Sequence, residues 1–208
     1  MKVVLAVGAH PDDIELGCGG TLALHKMKGD RVFLLVLTGG EASGDIRARE
    51  MECRKAAEIL GMDDVFFGGI EDTRVHDGRE TIDVIEKIIK KTNPDIIYAP
   101  DSKDTHQDHR NTGRAALSAA RRCKMILLYE CASTQIDFCP QVFVDIKKTF
   151  MLKKKATLIF GSQINNRSPP SRYSLAVEAA EGLAKFRGFQ AGVGMAEAFE
   201  VGRFIFEF

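Results

Sequence analysis

The stretch that decides the fold is VVLAVGAHPDD at residues 3–13. Its first five residues are all apolar, and such an unbroken run is typical of a strand buried on both faces of a parallel sheet. A histidine and two aspartates follow almost at once, so they are expected at the carboxyl end of that strand. Ligands bind at this end of the strands in open parallel sheets.

The same alternation of apolar strand and amphipathic helix continues along the chain. Strands are predicted at residues 3–7, 32–37, 65–67, 95–99 and 125–129, with helices at 17–29, 47–61, 81–91 and 111–122. The remainder predicts a strand at 142–145, a helix at 147–160, a polar loop at 162–173, a helix at 175–187 and a last strand at 198–206. This order indicates one α/β domain over residues 1–208, with a Rossmann-like three-layer architecture and a mostly parallel sheet.

Composition excludes several classes of protein. The chain carries 29 basic and 29 acidic side chains, a balance that gives no reason to expect nucleic acid or an anionic membrane as partner and that permits self-association. Its five cysteines are odd in number and form no C-x-x-C pair, which argues against a disulfide framework and for a reducing compartment. The first apolar run is too short for a signal peptide, and no run approaches a membrane span. We therefore expect a cytoplasmic protein without stable membrane insertion.

Acidic and histidine side chains collect after the predicted strands. The carboxyl ends of parallel strands lie on one edge of a sheet, so residues that follow different strands meet there. Those after the first four strands are His10, Asp12 and Asp13; Thr38 and Glu41; Glu71 and Asp72; and Asp101, Asp104, His106, Asp108 and His109.

Two histidines and a carboxylate suffice for a catalytic zinc site with an open position for water. His10 and Asp13 can reach one point from a turn, and His109 can arrive from the loop after the fourth strand. Asp12 adjoins this set and is the natural general base. His106 lies three residues before His109 and is expected to stabilise an oxyanion or to act as an acid.

Asp108 is expected to hydrogen-bond one nitrogen of His106 and to hold that ring protonated. Simpler interpretations exist for each segment alone, since His-Pro-Asp-Asp also suits an ordinary turn before a helix. The two histidine segments on one sheet edge together favour a metal site. Lys153 and the two lysines after it are interpreted as a solvated helix face.

The chain resembles the PIG-L/LmbE family of zinc-dependent de-N-acetylases, which act on N-acetylglucosamine-type sugars. The resemblance lies in AHPDD at 9–13 with Glu15, Gly17 and GGT at 19–21, and in HQDHR at 106–110. Further similar segments are TGGE at 38–41, GIED at 69–72, and Arg47 followed by Glu50. It covers most of the chain and implies the same Rossmann-like fold.

By position, the resemblance implies His10, Asp13 and His109 as ligands of Zn²⁺, with other divalent metals also able to occupy such a site. It implies Asp12 as the base that activates a zinc-bound water and His106 as its partner. Arg47 and Asp72 lie at the positions with which members of the family bind the sugar. Relatives form trimers or hexamers, so a homo-oligomer is expected.

The predicted function is therefore hydrolysis of an N-acetyl amide on a small amino-sugar substrate. Two alternatives stay open on the residues alone. One is a metal-dependent hydrolase of another acyl amide or of a phosphoester. The other is a non-catalytic sugar- or nucleotide-binding module, in which the acids would hold hydroxyl groups and no metal.

Overall fold

A computed structural model describes residues 1–164 and 172–206 of the chain, and its strands form one seven-stranded sheet. They are β1 (Val3–Gly8), β2 (Arg31–Thr38), β3 (Asp64–Ile70), β4 (Ile96–Pro100), β5 (Met125–Tyr129), β6 (Val142–Asp145) and β7 (Ala196–Phe204). Their order across the sheet is β3-β2-β1-β4-β5-β7-β6. The first five are parallel, while β7 runs antiparallel to both β5 and β6.

The helices are α1 (Asp13–Met27), α2 (Ile46–Leu60), α3 (Arg79–Thr92), α4 (Gln107–Ala119), α5 (Phe150–Thr157), α6 (Gly161–Ile164) and α7 (Arg172–Ala191). Side chains of β1 alternate between two cores. Val4 and Ala6 join residues of α1, α2 and α5, whereas Leu5 and Val7 join residues of α3 and α4. The predicted three-layer α/β architecture is confirmed.

Two helices begin four residues earlier than the sequence predicted, and in both cases a side chain at the start of the helix bonds nearby backbone N–H groups. The helix α1 begins at Asp13 rather than at residue 17, and the carboxylate of Asp13 accepts the backbone N–H groups of Ala9 and His10 in the turn before it. The ring of His106 accepts the N–H of Asp108 and caps α4, which begins at Gln107 rather than at residue 111. Both shifts carry the functional segments onto helix N-termini.

The polar loop predicted at 162–173 is only partly testable. Its first residues belong to the short helix α6, its residues 165–171 lie outside the described part of the chain, and α7 already begins at Arg172. Among the helices that the structure describes, none is both long enough and apolar enough to cross a bilayer.

The strand order places a crevice between β1 and β4. The helix that follows β1 packs on one face of the sheet and the helix that follows β4 packs on the other. Chain segments therefore diverge above the carboxyl ends of these two neighbouring strands, which is the usual ligand position in doubly wound folds.

Candidate metal centre and active site

Asp13 lies between two histidines at the first turn of α1. Its Oδ1 is 3.0 Å from Nε2 of His109 and its Oδ2 is 3.4 Å from Nδ1 of His10. Oδ2 also accepts the backbone N–H groups of Ala9 at 2.9 Å and of His10 at 2.8 Å. The carboxylate is thus held in place by the backbone, with both of its oxygens directed at imidazole nitrogens.

The other nitrogen of His10 is held by two carboxylates. Nε2 lies 3.0 Å from Oδ1 of Asp72 and 3.2 Å from Oδ2 of Asp108. The backbone N–H of Thr73 donates to the same oxygen of Asp108 at 3.1 Å. Carboxylates of this kind orient histidines that bind metals by holding the outer N–H.

His109 repeats this pattern on the other side of the site. Its Nδ1 lies 3.4 Å from Oδ2 of Asp104 and 3.3 Å from the hydroxyl of Ser133. With the outer nitrogens of both rings engaged, His10 Nδ1 and His109 Nε2 are left facing the carboxylate of Asp13. Two imidazole lone pairs and a carboxylate that meet at one point form a donor set for a cation.

The pKa shifts of His10 and His109 also favour a cation at this position. Burial lowers the pKa of His10, but the charge of Asp13 and hydrogen bonds to Asp108, Asp13 and Asp72 outweigh it and hold the pKa well above its usual value. Burial also lowers the pKa of His109, and the charge of Asp13 is again the main cause of its net rise. This cluster of buried carboxylates therefore favours positive charge between them, and the donor set fits a divalent metal ion.

His106 lies beside these ligand atoms, but its protonation differs from that of His10 and His109. Its Nδ1 accepts the backbone N–H of Asp108 at 3.3 Å, so the ring proton belongs on Nε2. Burial lowers the pKa of His106, and the neighbouring His109 and His10 lower it further. Its ring centroid is 4.5 Å from that of His109 and 5.0 Å from that of His10. His106 is thus a neutral hydrogen-bond donor next to the candidate metal position.

Asp12 is held in an unusual backbone conformation at the mouth of the same site. Its φ of 117° is rare for a residue other than glycine, and such strain occurs at functional sites. Burial raises the pKa of Asp12 to about 7, although the charge of Arg49 opposes the rise. Arg49 Nη2 lies 3.2 Å from Oδ2 of Asp12 and 2.8 Å from the carbonyl oxygen of Pro11.

Arg49 is the residue that sequence reasoning missed. It is buried and lines the site, whereas Arg47, the arginine named from the sequence, is exposed on α2 and is not among the lining residues. The signal was the helical spacing, since Arg49, Cys53 and Ala56 share the buried face of α2. Met51, on the outer face of the same helix, is 59% exposed.

Asp72 and Asp108 lie at the site, but their contacts differ from expectation. Asp72 lines the cavity and bonds His10. The Asp108 carboxylate also contacts His10, whereas Asp108 meets His106 through its backbone N–H. The reason is the helix cap, which turns the Nδ1 of His106 toward the backbone and leaves the Asp108 side chain buried behind His10.

These residues surround a cavity of about 790 Å³. Its lining from the segments after β1 to β4 includes the charged and histidine residues described above, which are His10, Asp12, Asp13, Arg49, Asp72, His106 and His109. Its far side is formed by the segment after β5, by β7 and by one side of α7. The cavity therefore combines a strained acid, Asp12, with a neutral histidine, His106, and a set of metal donors. Such a combination is suited to hydrolysis.

Comparison with known proteins agrees with this geometry. A protein-family model described as PIG-L, GlcNAc-PI de-N-acetylase, matches residues 5–120. The protein named uncharacterized deacetylase YaiS from Escherichia coli is 40% identical over 164 residues, which cover 76% of this chain and 89% of that protein. Diacetylchitobiose deacetylase from Thermococcus kodakarensis is 30% identical over 188 residues, covering 78% of this chain and 70% of that one.

Solved structures show the same fold over the whole chain. The crystal structure of the conserved protein TT1542 from Thermus thermophilus covers 100% of this chain and 98% of its own, with a TM-score of 0.88 at 29% sequence identity. The family match spans β1 to β4 and every site residue named from the sequence. The resemblance drawn from the two histidine segments is confirmed, and the chain belongs to the PIG-L family.

Proposed function

We propose that this protein is a zinc-dependent hydrolase that removes the N-acetyl group from an N-acetylglucosamine-type sugar or its conjugate. The observation that carries the proposal is the contact of Asp13 with His10 Nδ1 and His109 Nε2, while carboxylates hold the outer nitrogens of both rings. Family membership and the relatives named deacetylases support an N-acetyl amide as the bond that is broken.

His10, Asp13 and His109 are the residues that would hold the metal. A divalent ion bound there supplies Lewis acidity toward the amide carbonyl and makes a water far more acidic than in bulk solvent. Mixed nitrogen and oxygen donors suit zinc and also accept iron, manganese or cobalt.

Asp12 is the proposed general base. A carboxylate with a pKa of about 7 is matched to proton transfer near neutral pH, since catalytic efficiency is greatest when the pKa lies close to the working pH. Asp12 accepts a proton from the attacking water and then passes it to the amide nitrogen as the C–N bond breaks. The products are a carboxylate and the free amine.

His106 is assigned to the oxyanion that forms on the carbonyl oxygen. As a neutral ring with its proton on Nε2, it can donate a hydrogen bond where negative charge develops. It is not the source of the proton for the leaving amine, because a neutral imidazole is a poor acid. This narrows the two roles that the sequence left open for it.

Asp72 and Arg49 form the polar end of the cavity and are proposed to bind sugar hydroxyls. Asp72 is itself fixed by the backbone N–H of Ala42 at 3.0 Å and of Thr73 at 2.8 Å. Arg49 takes the role that the sequence gave to Arg47. A trimer or hexamer and a cytoplasmic location stay predictions.

The test is acetate release from N-acetylglucosamine and its conjugates by protein of measured metal content. We expect stoichiometric acetate and amine, lost on chelation and restored by zinc. Release of phosphate from sugar phosphates with no acetate would instead support a phosphoester hydrolase. A protein that binds sugars, stays metal-free and hydrolyses neither bond would support the binding module.

A further inference from the structure

The cavity extends to both sides of the metal donor set, because the strand order spreads its walls along one edge of the sheet. The donor residues follow β1 and β4 in the middle of the sheet. Arg49 and Asp72 follow β2 and β3 on one side, and Ala132 and Ala196 lie after β5 and on β7 on the other. A substrate whose reacting bond lies at the metal therefore reaches into two different environments.

We call the second environment the inner lobe and define it by Leu16, Gly17, Ala132, Ala180, Ala184 and Ala196. It lies between α1, α7 and the ends of β5 and β7. At Gly17 a Cβ would come within 2.2 Å of the buried Tyr129 ring, so α1 packs closely on β5 and adds no side chain to the lobe at this position. The residues that define the lobe carry only apolar side chains or none.

The charged residues that border the inner lobe are paired with one another. Lys153 Nζ lies 2.6 Å from Oε1 of Glu197. Arg187 forms a two-fold contact with Glu130, with Nε at 2.8 Å and Nη2 at 2.6 Å. Because these charges are matched inside the protein, the lobe does not call for a charged ligand.

The volume of the cavity limits which groups of a substrate it can hold. A cavity of about 790 Å³ lies in the range of pockets that bury molecules of drug size, about 300–1,000 Å³. This volume belongs to the whole cavity, and the single methyl of an acetyl group would cover little of the apolar wall that the lobe adds to it. Burying further methylenes against its apolar wall is favourable, since each one removes hydrocarbon from water.

We propose that the inner lobe binds the acyl group of the substrate, so that the hydrolysis proposed above for N-acetyl groups extends to medium-length acyl chains and is more efficient with them. This inference rests on the proposed amide hydrolysis. The sugar lies toward Arg49 and Asp72 and the acyl chain toward α7. The same bond breaks: water adds its oxygen to the acyl carbon, the C–N bond is cleaved, and a fatty carboxylate and a free amine result.

A series of acyl chains on one sugar tests this directly. With zinc-loaded protein and N-acetyl-, N-butanoyl-, N-hexanoyl- and N-octanoylglucosamine, kcat/KM is expected to rise with length, by up to about fourfold per methylene until the lobe is filled. Alkyl glycosides of N-acetylglucosamine serve as the opposite series. A gain with alkyl length on the glycoside and none on the acyl group would overturn the assignment of the lobe.

Variants on α7 locate the effect. Ala180→Leu narrows the inner lobe and is expected to lower the ratio of hexanoyl to acetyl kcat/KM by about tenfold or more, since several methylenes lose their burial. Ala191→Leu adds the same side chain at an exposed position of the same helix and should leave the ratio unchanged. Equal ratios in both variants would contradict the inference. Ala176→Leu replaces Ala180→Leu if that variant does not fold.

Binding of product gives a second readout that needs no turnover. Metal-free protein should bind hexanoate more tightly than acetate in calorimetry, and Ala180→Leu should remove the difference. Acetate release with no gain for longer chains would overturn this inference and leave the proposed function intact. Failure to hydrolyse any N-acyl sugar, with metal bound, would overturn both.

Discussion

Arg49 reaches from the first turn of α2 to Asp12, where its Nη2 lies 3.2 Å from Oδ2 of that carboxylate. Burial raises the pKa of Asp12 and the arginine charge limits the rise. Arg49→Met removes the charge, so the pKa of Asp12 should increase and the acid limb of the kcat/KM profile should move to higher pH. A shift of one unit lowers the ionised fraction on that limb about tenfold.

Two further variants separate charge from geometry. Arg49→Lys keeps the charge and should shift the limb less than Arg49→Met does. Arg47→Ala changes an exposed arginine of the same helix and is expected to leave the profile as it is. If Arg47→Ala loses affinity for the sugar while Arg49→Met keeps the wild-type pH profile and sugar affinity, the sugar-binding role belongs to Arg47, as the sequence predicted.

Asp12→Asn tests the division of labour within the acidic pair. The amide is similar in size but cannot accept the proton, so turnover should fall by about 10²–10⁴-fold while bound metal stays near that of the wild type. Asp13→Asn is the matched change one residue later and should lose metal, because Asp13 contacts both His10 and His109. Metal content by mass spectrometry decides between them, and loss of metal in Asp12→Asn would make Asp12 a ligand.

His106 and His109 provide a second matched pair within one turn of α4. His109→Ala should lose metal, because its Nε2 faces Asp13 at 3.0 Å. His106→Ala should keep metal and lose turnover, by about 10²–10³-fold if it removes one oxyanion donor. A His106→Ala protein that lost metal would place that ring among the ligands, as its proximity to His10 and His109 also permits.

The sequence was sufficient for the sheet and for which residues meet at its edge. Apolar runs such as residues 32–37 indicate burial on both faces and so predict a mostly parallel sheet, whereas the strand order and the antiparallel β7 come from the structure alone. It was not sufficient for side-chain partners. Asp108 was expected on the ring of His106, but the cap of α4 directs its carboxylate to His10. Such choices depend on where a helix begins, which periodicity defines only loosely.

Contacts between segments that are far apart in the chain could not be predicted from the sequence either. Lys153 was interpreted as part of a solvated face, and that interpretation is wrong. It is buried and bonds Glu197, which is 44 positions away in the chain. A lysine run looks the same in sequence whether or not a carboxylate from another strand comes to meet it. The contact of His109 Nδ1 with the hydroxyl of Ser133 was not predicted for the same reason, since Ser133 lies beyond the next strand in the chain.

Removal and return of metal should change stability as well as activity. His10, Asp13 and His109 bring two imidazoles and a carboxylate together in the folded chain only, so a bound ion stabilises the native state by about 2.7 kcal/mol at 100 times its Kd. Thermal unfolding with a chelator and with added zinc measures this. The carboxylates raise the pKa of His10 and His109, so protons compete and metal affinity should increase with pH. An unfolding temperature indifferent to zinc in the wild type would argue against the site.

Gly17 and Gly182 predict opposite effects of the same substitution in two helices. At Gly17 on α1 a methyl group would overlap the ring of Tyr129, which cannot move aside because it is fully buried and its hydroxyl bonds the carbonyl of Val7 at 2.9 Å. Gly17→Ala should therefore cost about 1–3 kcal/mol or more in the free energy of unfolding. Gly182 on α7 is exposed with nothing near its Cβ position, so Gly182→Ala should gain about 0.5–1 kcal/mol from helix propensity. Urea unfolding measures both changes, and equal midpoints for the two variants would contradict the close packing of α1 on β5.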